Sequence, residues 1–363
     1  MGFKEVIYIE GYSLISALGM TIETSINALK KEKYYPKSIE GDNLYFFLKE
    51  PINQSYYEII KKVSSQAIKN AKLNQVEIEK MGIFIGTSSP KLPINEKSLK
   101  EHNELLTSVN ISEITNNLSS CIGQNTYRCI ISTACTSSSN ALVQAKDMIE
   151  SGLIEKALVV GVELFNELTI KGFDSFQLLS NNKLQPFDKN RTGVILGEGI
   201  SAVILGKSKS SFELVAGSIK LDISSITSPT ANNLELVMND ALKKANITSN
   251  EIYAVKSHAT ATLQNDKVEA EALNNCFTKL PIISALKPYI GHTMGASGTN
   301  ELVLMLGALK KGFIPKTINF KEQEDKGITP ITEDKEAKYG YYMFNYFGFG
   351  GNNCSLIVKY NNE

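Results

Sequence analysis

The chain has 363 residues, 42% hydrophobic and 21% charged, with 38 Lys+Arg balanced by 38 Asp+Glu. That length allows about two domains, or one large α/β unit, and a core that needs no disulfide staples. Zero net charge removes any global field for nucleic acid, so no nucleic-acid partner is expected.

The first β-rich run is 4–10 (KEVIYIE), and the opening residues do not read as a signal peptide or a myristoylation site. Apolar spacing near the helical period predicts a helix over 56–72, and GIFIGT predicts a strand over 82–87. A short strand over 127–131 stops abruptly, and a helix over 138–149 follows it. ALVVGVE, 157–163, reads as a strand buried on both faces. Residues 193–206 read as two strands joined around Gly197 and Gly199. The second half repeats this grammar. It has helices over 234–245, 267–277 and 298–311, strands over 252–257 and 281–286, and a closing β-hairpin around a glycine cluster. Alternation of this kind predicts an α/β fold with two pseudo-repeated halves. No apolar run approaches the roughly 18 residues of a membrane span.

The 5 cysteines are Cys121, Cys129, Cys135, Cys276 and Cys354. They form no CxxC pair, so a reducing cytoplasmic setting without structural zinc or disulfides is expected. Four of them read as packing residues. Cys135 differs because it lies at the strand-to-helix corner among small residues. Unpaired N–H groups at a helix start favour a thiolate and can hold an oxyanion, so a lowered pKa is expected there. Of the 3 histidines, His102 lies in a polar helical stretch and reads as a surface residue. His258 and His292 each follow the end of a predicted strand, where open α/β sheets build their sites. A thiol with two such histidines is a nucleophile with two proton or charge managers.

The motifs TACTSSS, LQPFDKNRTGVILGEG, HATATLQNDKVEAEAL, SALKPYIGHTMGASGTNE and FGFGGNNCSLIV occur in this order. Together they resemble the β-ketoacyl-[acyl-carrier-protein] synthases, condensing enzymes of the thiolase superfamily. The resemblance implies a thiolase-like α/β fold of two βαβαβαββ halves in a layered αβαβα sandwich, divided at 1–210 and 211–363. It implies decarboxylative Claisen condensation of an acyl thioester on Cys135 with malonyl-acyl-carrier protein. His292 at the third position implies the elongating Cys-His-His branch. His258 and His292 would bind the malonyl thioester oxygen, Lys287 would set their charge and hydrogen-bond state, and Glu301 would support Lys287 or a histidine. The N–H groups of Cys135 and Phe349 would form the oxyanion hole, with Phe349 as a gate on a glycine hinge. Thr260 and Thr262 would hold the phosphopantetheine arm, while Asp266 and Glu269 would brace loops. No metal and no permanently bound cofactor is implied.

The expected partners are acyl- and malonyl-loaded acyl-carrier protein and a second copy, or a second ketosynthase-like chain, in a dimer. A trimmed segment over 35–120 is similar to synthases of aryl-polyene or flexirubin-like pigment systems. Ala259 and Ala261 depart from the family's glycines and Asn352 from its threonine, so the arm's geometry stays open. Three alternatives are a non-catalytic chain-length subunit, a Cys-dependent acyltransferase or hydrolase, and a degradative thiolase.

Overall fold

The computed structural model describes residues 5–31, 35–39, 43–50, 55–105, 110–124, 126–224 and 229–362. A 10-stranded sheet runs through both halves of the chain. Its strands in chain order are β1 (Tyr8–Ser16), β2 (Gly82–Gly86), β3 (Arg128–Ile131), β4 (Ala157–Glu163), β5 (Gly199–Gly206), β6 (Phe212–Leu221), β7 (Ile252–Lys256), β8 (Ile282–Ser284), β9 (Gly340–Phe347) and β10 (Asn352–Tyr360). Across the sheet the order is β8-β7-β9-β10-β6-β1-β5-β4-β2-β3.

The pairing repeats outward from the centre. β1 runs antiparallel to β5, β5 antiparallel to β4, and β4, β2 and β3 run parallel. β6 runs antiparallel to β10, β10 antiparallel to β9, and β9, β7 and β8 run parallel. The halves meet at the pair Tyr8 and Glu213. This is the thiolase-like doubling expected from the sequence.

Seven helices matter for the layers: α1 (Tyr56–Asn70), α2 (Ser112–Ile122), α3 (Ser137–Glu150), α4 (Glu167–Ser175), α5 (Ala231–Ala245), α6 (Leu263–Cys276) and α7 (Ser297–Lys310). α1 covers β1 and β5 on one outer face, with α2 against it, and α5 covers β6 and β10 on the other, with α6 beside it. α3 and α7 fill the middle, each touching strands of both halves. Every α7 residue except Lys310 is buried. α1 starts where it does because Ser55 and Glu58 form a reciprocal capping box. No helix among the described residues is long and apolar enough to cross a membrane.

Two expectations need correction. The first strand spans Tyr8–Ser16, not 4–10, and Lys4 lies outside the described residues. The stretch 193–206 is not a hairpin. Leu196–Gly197 pairs instead with Leu44–Phe46, and β5 starts afresh at Gly199. The half-buried Glu198 carboxylate between them accepts N–H bonds from Leu48 (2.8 Å) and Phe165 (3.0 Å), which ties this point of the chain to two other loops. Among the cysteines read as packing residues, Cys276 and Cys354 are buried, Cys129 is half-buried and Cys121 is exposed.

Candidate active site

The nucleophile corner is made by its hydroxyls. Thr136 Oγ1 donates to Thr133 O (2.7 Å), and Ser137 Oγ donates to Ala134 O (2.7 Å) and accepts from Thr133 N (2.9 Å). These bonds hold Ala134 at φ 51°, a left-handed turn that swings Cys135 to the foot of α3. The small residues after it serve packing. Gly298 of α7 lies so close to α3 that an added Cβ would sit 2.1 Å from Ser139 N, and Thr299 N donates to Ser138 Oγ (3.1 Å). The two central helices therefore meet at small side chains, and this contact brings the second half's histidines to Cys135.

Cys135 Sγ lies 3.1 Å from His292 Nε2. The other nitrogen of that ring, Nδ1, is 3.1 Å from Ser297 Oγ. The rings of His258 and His292 sit edge to face with centroids 5.4 Å apart. Lys287 Nζ is 3.4 Å from His258 Nδ1 and donates to Glu301 Oε1 at 2.7 Å. A lysine ammonium only donates, so His258 Nδ1 accepts and the proton of the neutral ring sits on Nε2. Burial pushes both histidine pKa values well below the ordinary range, and Lys287 adds to it. Both rings are therefore neutral at physiological pH.

The thiol does not follow the sequence expectation. Burial pushes Cys135 up to about 11, while the Phe349 N–H, Lys287 and its own N–H pull the other way without overcoming it. The resting nucleophile is a thiol, and the neutral His292 is the base within reach. The Phe349 and Cys135 N–H groups both address the sulfur.

Phe349 packs on Phe173 of α4 at 5.8 Å, and both line a cavity of about 20 Å³ with Cys135, His258 and His292. Thr260, Thr262, Asn265, Val194, Pro229 and Phe347 are also part of its lining. The Thr260 and Thr262 hydroxyls are 3.0 Å apart. Gly350 and Gly351 take φ 80° and 74°, whereas Gly348 has an ordinary φ of −101°. Asn352, where a threonine was expected, ties this loop to the nucleophile helix. Its Oδ1 accepts from Asn140 Nδ2 at 2.8 Å and lies 2.8 Å from Thr136 Oγ1, whose proton goes to Thr133 O.

Two buried carboxylates brace the first histidine loop. Glu269 accepts from His258 N and Ala259 N, each at 2.7 Å. Asp266 accepts from Ala261 N (3.0 Å) and Phe187 N (2.8 Å). They hold Ala259 and Ala261 at φ 49° and 64°, a region where glycine is the unstrained residue. Two further groups were not singled out in the sequence. Glu163, at the end of β4, accepts from Ser88 N (2.9 Å), Ser88 Oγ (2.7 Å), Ser89 Oγ and Gly295 N (3.0 Å), so it ties the His292 loop to the first half. Lys256, at the end of β7, donates to Glu301 Oε2 at 2.7 Å. A charged residue closing a strand otherwise buried on both faces was the available signal for each.

The family models "Beta-ketoacyl synthase, N-terminal domain" and "Beta-ketoacyl synthase, C-terminal domain" match residues 55–211 and 214–321. The chain is 28% identical to 3-oxoacyl-[acyl-carrier-protein] synthase 1 of Buchnera aphidicola, covering 97% of this chain and 98% of that one. It is 30% identical to 3-oxoacyl-[acyl-carrier-protein] synthase 2 of Vibrio cholerae, over 81% of this chain and 80% of that one. Its fold is similar to a ketosynthase from Xenorhabdus doucetiae solved with its chain length factor (TM-score 0.86, 23% identity, 99% of each chain). It is also similar to a beta-ketoacyl synthase from Burkholderia phymatum (TM-score 0.86, 24% identity, 99% and 100% of the two chains).

Proposed function

The chain belongs to the beta-ketoacyl synthase family, and we propose that as a 3-oxoacyl-[acyl-carrier-protein] synthase it uses Cys135, His258 and His292 as its reacting groups. The observation that carries this assignment is the 3.1 Å approach of Cys135 Sγ to a neutral, buried His292. In the first step His292 Nε2 takes the thiol proton as sulfur attacks the acyl thioester carbonyl. The Cys135 and Phe349 N–H groups hold the oxyanion. The C–S bond to the phosphopantetheine sulfur then breaks, and the imidazolium returns its proton to the departing thiolate. Ser297 Oγ serves both states, because a hydroxyl can accept from or donate to Nδ1.

In the second step the malonyl thioester oxygen sits against the Nε2–H groups of His258 and His292. Loss of CO2 leaves an enolate at that oxygen. Its carbon attacks the acyl carbonyl on Cys135, the new C–C bond forms, and the sulfur leaves as thiolate to be reprotonated. Hydrogen bonds aimed at developing charge of this kind are worth roughly 3–4 kcal/mol each. Thr260 and Thr262 flank the entry and would bind the arm of acyl-carrier protein. β3 lies at an open edge of the sheet, which supports pairing with a second such chain. The partly polar mouth and the site's position between α4 and the closing hairpin support carrier-delivered substrates.

The test is intact-mass spectrometry with acyl-carrier proteins loaded with saturated chains of graded length, followed by malonyl-acyl-carrier protein. An adduct on Cys135, absent in Cys135→Ala, that converts to β-ketoacyl-carrier protein is the expected result. An adduct that only hydrolyses would instead assign a Cys-dependent hydrolase.

A further inference from the structure

Lys256 stands out among buried groups that the chemistry above does not use. Its side chain is fully buried. Its ammonium donates to Glu301 Oε2 (2.7 Å) and Asn345 O (2.8 Å) and lies 3.7 Å from the centre of the Tyr346 ring. Glu301 thus holds two ammonium groups with its two oxygens, Lys256 on one and Lys287 on the other. Only Lys287 reaches a histidine.

Burying an extra charge is costly, and the Lys287–Glu301 pair would already be neutral without it. We propose that Lys256 is a positioning residue for condensation, supplying the positive charge behind Lys287 that keeps His258 and His292 as neutral donors and offsets the charge of the enolate. The proposal rests on the roles assigned above to Cys135, His258 and His292.

The surrounding groups support the sign. Facing Lys256 are Glu301 on α7, Lys287 before it, Glu269 on α6, Tyr346 on β9, Cys354 on β10 and the two histidines. Burial pushes Tyr346 and Cys354 up, so both stay uncharged. Burial and Asp266 also raise Glu269, whose oxygens are occupied by backbone N–H groups. With Lys256 charged, the lysines and carboxylates Glu301 and Glu269 sum to neutral or positive in either state of Glu269. Without it they sum to neutral or negative, beside an oxygen that must become negative. Lys256 also contributes to the lowering of both histidines. Its own pKa is lowered to about 8 by burial, against the opposing pull of Glu301. Its charge therefore fades just above physiological pH, and condensation fades with it.

The experiment separates the two steps. Loading of Cys135 is followed by intact mass, and condensation by β-ketoacyl-carrier protein formed from the loaded enzyme. Lys256→Met is expected to load within threefold of wild type and to condense at least about tenfold more slowly, through kcat and not through KM for malonyl-acyl-carrier protein. Lys256→Arg, which keeps the charge, is expected to recover most of that rate and to extend its plateau to higher pH. Condensation by Lys256→Met within threefold of wild type overturns the proposal, as does a parallel fall in loading. Should Lys256→Met not fold, wild type decides. Condensation must fall above about pH 8 while loading does not, and a flat profile to pH 9.5 overturns the proposal. A wild-type chain that forms no Cys135 adduct fails the synthase assignment first and takes this proposal with it.

Discussion

Glu301→Gln isolates the electrostatics of the buried network, because it changes one charge and almost no volume. In wild type the carboxylate meets Lys256 and Lys287 at 2.7 Å each, and all three side chains are fully buried. The variant leaves two ammonium groups facing one neutral amide. Breaking a buried ion pair from one side costs about 3–5 kcal/mol. A second route gives a smaller figure, about 2 kcal/mol for Lys256 alone. An unpaired lysine can release its proton, which at pH 7 costs about 5 kcal/mol relative to an ordinary unfolded lysine. Wild-type Lys256, lowered to about 8, already carries about 3 kcal/mol of that cost. The pH dependence follows. A lysine with a depressed folded pKa binds fewer protons folded than unfolded, so stability rises with pH between the folded value and about 10.5. The rise is steeper in the variant, and its deficit should shrink by about 1–3 kcal/mol between pH 7 and pH 9. Urea unfolding of both proteins at the two pH values measures this. A deficit under about 1 kcal/mol at pH 7, or one that does not change with pH, refutes the two-ammonium description.

Lys256→Met should raise the unfolding free energy by about 1–3 kcal/mol at pH 7, since it leaves a one-to-one Glu301–Lys287 pair, and thermal unfolding reads the gain. A loss of stability there would mean that Glu301 needs both lysines. Alkylation of Cys135 by iodoacetamide should climb about tenfold per pH unit from pH 7 to pH 10, because its thiol sits at about 11. A plateau already reached by pH 8 would show that the foot of α3 outweighs burial. Asn352→Ala should cost about 1–3 kcal/mol in urea unfolding, because the buried Asn140 amide loses an acceptor. It should also slow loading, since the loop that carries the Phe349 N–H loses its tie to the nucleophile helix.

Elements whose pattern serves a single purpose were legible from the sequence. ALVVGVE spans β4 to the residue, and the helical period over 56–72 matches Tyr56–Asn70. The first strand runs on through Gly11 and Ser13, residue types that usually bound a strand. Gly11 in fact lets α1 close on β1, with an added Cβ only 2.5 Å from Ala71 N. The site was legible in its reacting types and not in its charges. Cysteine and histidine beside strand ends are rare enough to be noticed. A lysine ending IYAVK or a glutamate ending ALVVGVE looks like the solvent side of a strand until burial is known. The thiol pKa was misjudged for the same reason: the corner's N–H groups follow from local sequence, whereas the burial that outweighs them comes from the two histidine loops, α4 and the closing hairpin.

The placement of Lys256, Lys287 and Glu301 also explains why the chemistry lies between the halves. A charge excess beside a developing enolate acts strongly only where water is excluded. In this fold that place is the layer of α3 and α7, which touches both halves. The first half brings the nucleophile there on a strained turn at Ala134, and the second brings Lys256, Lys287 and Glu301. Glu163 and Asn352 are two of the hydrogen-bonded ties across that division, one to the His292 loop and one to the Phe349 loop. A substitution at either should therefore change the register between sulfur and histidine while leaving Lys256, Lys287 and Glu301 in place. A substitution at Glu301 or Lys256 should do the reverse. Loading reports the first kind of fault, because it needs Sγ, Nε2 and the two N–H groups in register. Condensation reports both kinds, because it needs that register and the charge together.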